Sequence, residues 1–315
     1  MPRIKIFLDK HRGNIIIALY CFILSISHIM EKNDIVYWEN FGNKIEKLKN
    51  SDKDSIQVVS DFDWTLTYIK NKATNKVVPA IISVLYNEWY LSKDYSEKAK
   101  ELENTYKPIE KDESLWLDER KEKMAEWWKK HNELLIKSWL TKQHIDSVID
   151  SGIVQLRDGC NKFFEVLHNQ WIPIMIFSAS WLWTYAISTY LQRAWINYDN
   201  IHIVSNDFVW DDGWNAISWK EPFVTSLNKD ETLISNKIFP EIYKEIKDKK
   251  DVVLLWNSLW DVPMASDSNN NFVLRVWFLW EDNMDKLEKF KEKFDIVLIW
   301  DWWMDEIIEI LKQNI

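Results

Sequence analysis

Apolar residues along the chain follow two rhythms. In "IQVVS" (56–60), "IPIMIFSAS" (172–180), "IHIVSN" (201–206), "DVVLLW" (251–256), "NFVLRVWFL" (271–279) and "FDIVLIW" (294–300) they form short runs ended by polar residues. Runs of this length predict strands buried on both faces, as in a parallel sheet. Elsewhere apolar residues recur every three or four positions among charges, which predicts amphipathic helices. Residues 40–50 read this way, and so does the long stretch 79–150, with "SEKAKELENTY" and "DERKEKMAEWWKKHNELLIKSW". Alternating strands and helices predict an α/β fold with a parallel sheet flanked by helices. The helical stretch falls just after the first strand, so the expected layout is a core of 31–67 plus 151–315 and an inserted helical cap, 68–150. No internal repeat or low-complexity linker interrupts it.

One longer apolar run, "NIIIALYCFILSISHIM" (14–30), follows Lys10 and Arg12. It fits a membrane anchor with the N-terminus inside, a signal-peptide core, or a segment upstream of a start at Met30. Membrane contact is expected only if this run is an anchor.

The 315 residues suffice for a full core, and 47% hydrophobic with 28% charged residues is a globular composition. A net charge of −9 argues against nucleic acid as a partner, because phosphate backbones require a basic surface. The two cysteines, Cys21 and Cys160, imply no disulfide framework and point to a reducing compartment. Tryptophan and glycine are out of proportion, at 21 and 5 residues. Together they make up about 8% of the chain, close to the usual share of glycine alone, roughly 7%. That sum predicts that many of the tryptophans stand where the organism inserts glycine, as a reassigned UGA codon would cause.

Ligands of open α/β sheets bind beyond the carboxyl ends of the strands, and polar residues collect there. Asp61 and Asp63 follow the first strand, Ser178 the second, and Asn257 and Asp261 follow "DVVLL"; Lys229 lies in "SLNKDE", after the hairpin-like "WDDGWNAIS". Singly these read as a turn or cap, a packing serine, a solvated lysine and a loop. In combination they suit phosphoryl transfer. A carboxylate can attack phosphorus, oxygen ligands hold magnesium, and a lysine neutralises the phosphoryl oxygens.

In order and spacing, "DFDWTLT", "FSAS", Lys229 and "WNSLWD" with Met264 resemble the four motifs of the haloacid dehalogenase (HAD) superfamily. "TYKPIE", "MAEWWKKHNELL", "LRDGCNKFFEVL" and "LLWNSLWDVPMA" narrow the resemblance to cytosolic pyrimidine 5′-nucleotidases, over residues 40–313. The resemblance implies a HAD-like Rossmannoid parallel sheet with a helical cap after the first core strand. It implies a cytoplasmic, monomeric, Mg²⁺-dependent phosphoric monoester hydrolase that releases phosphate from UMP and CMP through an aspartyl-phosphate. By it, Asp61 is nucleophile and metal ligand. Asp63 is general acid, then base, and a metal ligand through its carbonyl. Ser178 and Ala179 bind phosphate, Lys229 neutralises it, and Glu110 contacts the base. Asn257 stands where the family carries a metal-binding aspartate, which raises the weight of Asp261 as a supporting acid. His131 stands where relatives use a serine near the nucleotide.

Members of the family commonly have glycine where this chain has Trp139, Trp171, Trp181, Trp183, Trp195, Trp219, Trp256, Trp260 and Trp277, whereas Trp127 and Trp210 read as authentic. Two other functions stay open: a HAD phosphatase for another small phosphomonoester, and a non-catalytic nucleotide-binding relic, which Asn257 favours.

Overall fold

The apolar runs become one sheet. A computed structural model describes residues 35–179, 183–235, 237–280, 287, 293–299 and 303–315. Its strands are β1 (Ile35–Tyr37), β2 (Ile56–Ser60), β3 (Ile174–Phe177), β4 (Ile201–Val204), β5 (Phe208–Trp210), β6 (Ala216–Trp219), β7 (Asp251–Trp256), β8 (Phe272–Leu279) and β9 (Ile296–Ile299). Seven of them form a sheet in the order β1-β9-β8-β7-β2-β3-β4, and β5 with β6 forms a separate hairpin. All neighbours in the large sheet are parallel except β1, which runs antiparallel along β9. That edge strand, three residues of "IVY", escapes the apolar pattern because it is too short to form a run.

Every residue of β2, β3, β7, β8 and β9 is buried. Because side chains alternate across a strand, each strand feeds two cores. Val58, Ile174, Ile176, Val253, Leu255 and Leu274 join the core on one face. Val59, Met175, Phe177, Leu254, Val273 and Val297 join the core on the other. The chain passes from β2 to β3 on one side, while β7 pairs with β2 on the other. The sheet therefore has its topological switch point at the end of β2, where a ligand crevice is expected.

The helices are α1 (Phe41–Lys49), α2 (Ile81–Asn87), α3 (Lys93–Lys111), α4 (Leu117–Lys137), α5 (Lys142–Asp150), α6 (Cys160–Asn169), α7 (Trp183–Arg193), α8 (Pro240–Ile246) and α9 (Asp305–Asn314). Helices α2 to α6 lie between β2 and β3, the first four of them in one excursion of the chain. At its base Tyr68 N–H donates to Gln155 O and Arg157 N–H to Leu66 O, both at 2.9 Å, so chain entry and exit are tied together. At its far side the N-terminus of α5 is held to the hairpin, with Ala216 N–H donating to Leu140 O at 2.9 Å. Cys160 is free and buried. Among the described residues no helix is long and apolar enough to cross a membrane; residues 14–30 and Cys21 lie outside them.

Four helices end in the same way. After α4, Trp139 N–H donates to Ile136 O (3.0 Å) and Leu140 N–H to Leu135 O (3.1 Å). After α6, Trp171 donates to His168 (3.0 Å) and Ile172 to Leu167 (2.9 Å); after α7, Trp195 donates to Gln192 (3.0 Å) and Ile196 to Leu191 (2.8 Å). After α2, Tyr90 N–H reaches Leu85 O at 3.1 Å. These are Schellman closures, which place one residue in the left-handed region, usually glycine. Here it is a tryptophan each time, with φ of 56° at Trp89, 58° at Trp139, 59° at Trp171 and 61° at Trp195.

Candidate active site

Site geometry begins where β2 runs out of apolar residues. Asp61 N–H still pairs with Leu255 O of β7 at 3.1 Å, which extends the parallel register by one residue and aims Asp61 at the switch point. The chain then folds back, with Leu66 N–H donating to Phe62 O at 3.0 Å. Trp64 takes a left-handed φ of 59°, and its N–H donates to Thr67 Oγ1 at 2.7 Å.

The Asp61 carboxylate is divided between two partners. Oδ1 accepts from Lys229 Nζ at 2.7 Å, and Oδ2 accepts from Asn257 Nδ2 at 3.1 Å. Both charges are buried, Asp61 to 8% and Lys229 to 3% exposure. Breaking such a pair by removing one partner costs about 3–5 kcal/mol. Asn257 Nδ2 also donates to the Asp63 carbonyl and to Thr65 Oγ1 at 2.9 Å. One amide nitrogen is therefore ringed by a carboxylate oxygen, a carbonyl and a hydroxyl. That oxygen set fits a hard divalent cation, whose preferred ligands are carboxylate, carbonyl and amide oxygens. Among the described residues no three His, Cys, Asp or Glu side chains converge to hold a metal, so a cation here would lean on Asp61, the Asp63 carbonyl and the Asn257 amide.

Lys229 is delivered by a loop that amides hold in place. Asn206 Nδ2 donates to Val224 O (2.8 Å) and its Oδ1 accepts from Val224 N–H (2.9 Å). Asn228 Oδ1 accepts from Thr225 N–H at 2.7 Å, and its Nδ2 donates to Phe223 O at 2.8 Å. Lys229 Nζ then lies 6.0 Å from the Phe177 ring centre, beside the end of β3. Ser178 follows there, fully buried, its N–H donating to Val204 O at 2.9 Å; Ala179 is half-buried.

Asp61, Lys229, Asn257 and the Asp63 backbone are thus in direct contact, with Ser178 and Ala179 on the neighbouring strand end. The Asp63 side chain is half-buried. The Tyr190 hydroxyl is held above its ordinary range first by burial and next by the Asp63 charge. Glu110, near the end of α3, accepts from Ser226 Oγ, three residues before Lys229, so α3 meets the lysine loop. The Asp261 side chain lies outside the described residues. His131 is buried on α4 against Tyr95 Oη at 3.0 Å, and burial lowers its imidazole to about 3. It is a neutral interior group at ordinary pH.

Arg157 is the important side chain that motif reading passed over. Buried to 2% exposure, it donates Nε to Thr65 O at 2.7 Å and Nη2 to Trp64 O at 2.8 Å. Its guanidinium lies 4.4 Å from the Phe278 ring centre. Charge-assisted bonds of this kind are the strong ones, and they hold the turn that carries Asp63. The sequence signal was an arginine just before Gly159 and an apolar helix, which resembles an ordinary helix entry.

Comparisons with known proteins converge on one family. A family described as pyrimidine 5′-nucleotidase (UMPH-1) matches residues 64–315. The 7-methylguanosine phosphate-specific 5′-nucleotidase of Gallus gallus is 29% identical over 270 residues, covering 85% of this chain and 91% of that protein. The crystal structure of cytosolic 5′-nucleotidase IIIB bound to cytidine superposes with a TM-score of 0.77 at 24% identity, covering 89% and 94% of the two chains. A HAD family hydrolase from Salmonella enterica serovar Typhi shares the fold at a TM-score of 0.51 and 12% identity, covering 82% of this chain and 70% of that one. The chain belongs to the pyrimidine 5′-nucleotidase (UMPH-1) family and is a phosphoric monoester hydrolase, a 5′-nucleotidase with a HAD-like fold.

Proposed function

We propose that this 5′-nucleotidase hydrolyses pyrimidine nucleoside 5′-monophosphates, UMP and CMP, in two steps through an aspartyl-phosphate on Asp61. The observation that carries the reading is the divided Asp61 carboxylate, with one oxygen on Lys229 and the other among the oxygens around Asn257. In the first step an Asp61 oxygen bonds to phosphorus as the bond to the ribose 5′-oxygen breaks, and Asp63 gives that oxygen its proton. In the second, water attacks the phosphorus, Asp63 takes the proton back, and Asp61 is released with inorganic phosphate. Lys229 neutralises the phosphoryl oxygens in both steps, while Ser178 Oγ and the Ala179 N–H hold them in place. Magnesium, held by Asp61, the Asp63 carbonyl and Asn257, would screen the repulsion between carboxylate and phosphate. Asp261 would support it.

Glu110 lies on the cap, tied to the lysine loop through Ser226, and can accept a hydrogen bond from the exocyclic amine of cytosine. A second base is favoured by the name of the Gallus gallus relative. The cationic base of 7-methylguanosine 5′-monophosphate suits the Glu110 carboxylate on α3. We place the enzyme in the cytoplasm as a single chain acting on free nucleotides rather than on nucleic acid, in keeping with the cytosolic designation of the structural relative.

The test is phosphate release by protein isolated from its own cells, offered UMP, CMP, 7-methylguanosine 5′-monophosphate and phosphoserine. Turnover of UMP and CMP supports the reading. Turnover of the methylated purine nucleotide alone moves the base assignment, and turnover of phosphoserine alone overturns the nucleotide assignment.

A further inference from the structure

Eight described residues other than glycine have a left-handed φ, and seven of them are tryptophan: Trp64, Trp89, Trp139, Trp171, Trp183, Trp195 and Trp214, the eighth being Asn75. Asparagine is among the residues that visit this region most readily, whereas a bulky side chain there is an outlier. With 21 tryptophans in 315 residues, a random draw of eight positions would include fewer than one.

Each position has its own reason to require glycine. Trp89, Trp139, Trp171 and Trp195 occupy the left-handed place of four Schellman closures, the commonest glycine site in helical proteins. Their indoles project into solvent at 58%, 76%, 77% and 89% exposure, so little packing offsets the conformation. Trp214 sits in the turn between β5 and β6, its N–H donating to Asp211 O at 3.0 Å; longer hairpin turns also put glycine at a left-handed position. Trp64 lies directly after Asp63, and Trp183 opens α7 with φ 63°, four residues beyond Ala179. The two left-handed positions that are glycine, Gly152 and Gly159, show that the chain uses glycine conventionally where it has it.

We propose that these seven positions are glycine in the protein as its own cell makes it, because one codon read here as tryptophan is decoded there by a glycine-carrying tRNA. The chain then has two classes of tryptophan letter. Trp127, inside α4 with no left-handed φ and stacked on Tyr106, belongs to the authentic class. Trp219, Trp256 and Trp277, which sequence comparison groups with the suspects, have no left-handed φ, and Trp277 Nε1 donates to Asn257 O at 3.1 Å. Trp181 and the Trp260 side chain lie outside the described residues. The proposal is confined to the seven.

For the site, and resting on the phosphate-binding reading above, glycine at 64 and 183 removes one indole from the turn after Asp63 and another from the first residue of α7. Backbone N–H groups there could then approach an anion closely.

The experiment is peptide sequencing by tandem mass spectrometry of the protein isolated from its source cells, alongside its coding DNA. Neither measurement depends on activity, so failure here is distinct from failure of the nucleotidase reading. The expected result is glycine at all seven positions, tryptophan at 127, and a codon shared by the seven that differs from the codon at 127. Tryptophan at the four helix ends overturns the proposal, as does one common codon for the seven and for Trp127.

Discussion

Replacing Trp89, Trp139, Trp171 and Trp195 together by glycine should stabilise the recombinant protein as written. A non-glycine residue in the left-handed region costs about 1–2 kcal/mol. Glycine gives back roughly 0.5–1 kcal/mol through the greater freedom of the unfolded chain. Little packing is lost, since all four indoles are mostly exposed. The four positions close separate helices, so their effects should add, to a net gain of about 2–4 kcal/mol. With a urea m-value of roughly 3 kcal/mol/M, the midpoint should rise by about 1 M. Far-UV circular dichroism is the assay, because tryptophan fluorescence changes with the substitutions. Trp127→Gly is the opposite control. That indole is buried against Tyr106 and edge-on to Trp128, and its loss should cost about 3–5 kcal/mol. A fourfold variant whose midpoint is unchanged or lower would refute the argument from backbone strain.

Other outcomes follow from the site and the cap. Arg157→Met leaves the Thr65 and Trp64 carbonyls without their buried donor; urea unfolding should show a loss of about 3 kcal/mol, and phosphate release should fall by roughly tenfold or more. Asn257→Asp adds a charge facing Asp61 and the Asp63 carbonyl; titration calorimetry of the metal-free protein should show Mg²⁺ binding about tenfold tighter, roughly 1.4 kcal/mol. For His131, the folded-state value of about 3 lies below the ordinary 6.5, so the unfolded chain binds the extra proton first. Its contribution is intact above pH 6.5 and is lost as the pH falls from there toward 3, at about 1.4 kcal/mol per pH unit. The His131→Gln variant should therefore lose about 2 kcal/mol less than the parent between pH 7 and pH 5, read from urea midpoints at the two values.

What the sequence made legible follows from which signals are local. Buried strands announce themselves as apolar runs; Ser178 and Asn257 stand out because each is the first polar group after one, and Asp61 because it follows one across a single serine. Lys229 and Glu110 carry no such local signal; family motifs singled them out, and the structure brings Lys229 to Asp61 across 168 positions and Ser226 to Glu110 across 116. Arg157 stayed hidden because its partners are backbone carbonyls 92 and 93 positions away, which no side-chain spacing reveals. Edge strand β1 was too short to show a period. The tryptophan surplus was visible as composition, but only backbone angles add Trp64, Trp89 and Trp214 to the suspects and leave out Trp219, Trp256 and Trp277.

The central claim is that Asp61 is the nucleophile of a nucleotide phosphatase. Its most direct test is to quench the enzyme in acid during turnover of CMP labelled with ³²P in the phosphate, and to sequence the labelled peptide. The account predicts acid-stable, hydroxylamine-sensitive label on Asp61, absent from Asp61→Asn along with phosphate release. Turnover of CMP with no label on Asp61, or full activity in Asp61→Asn, would contradict it.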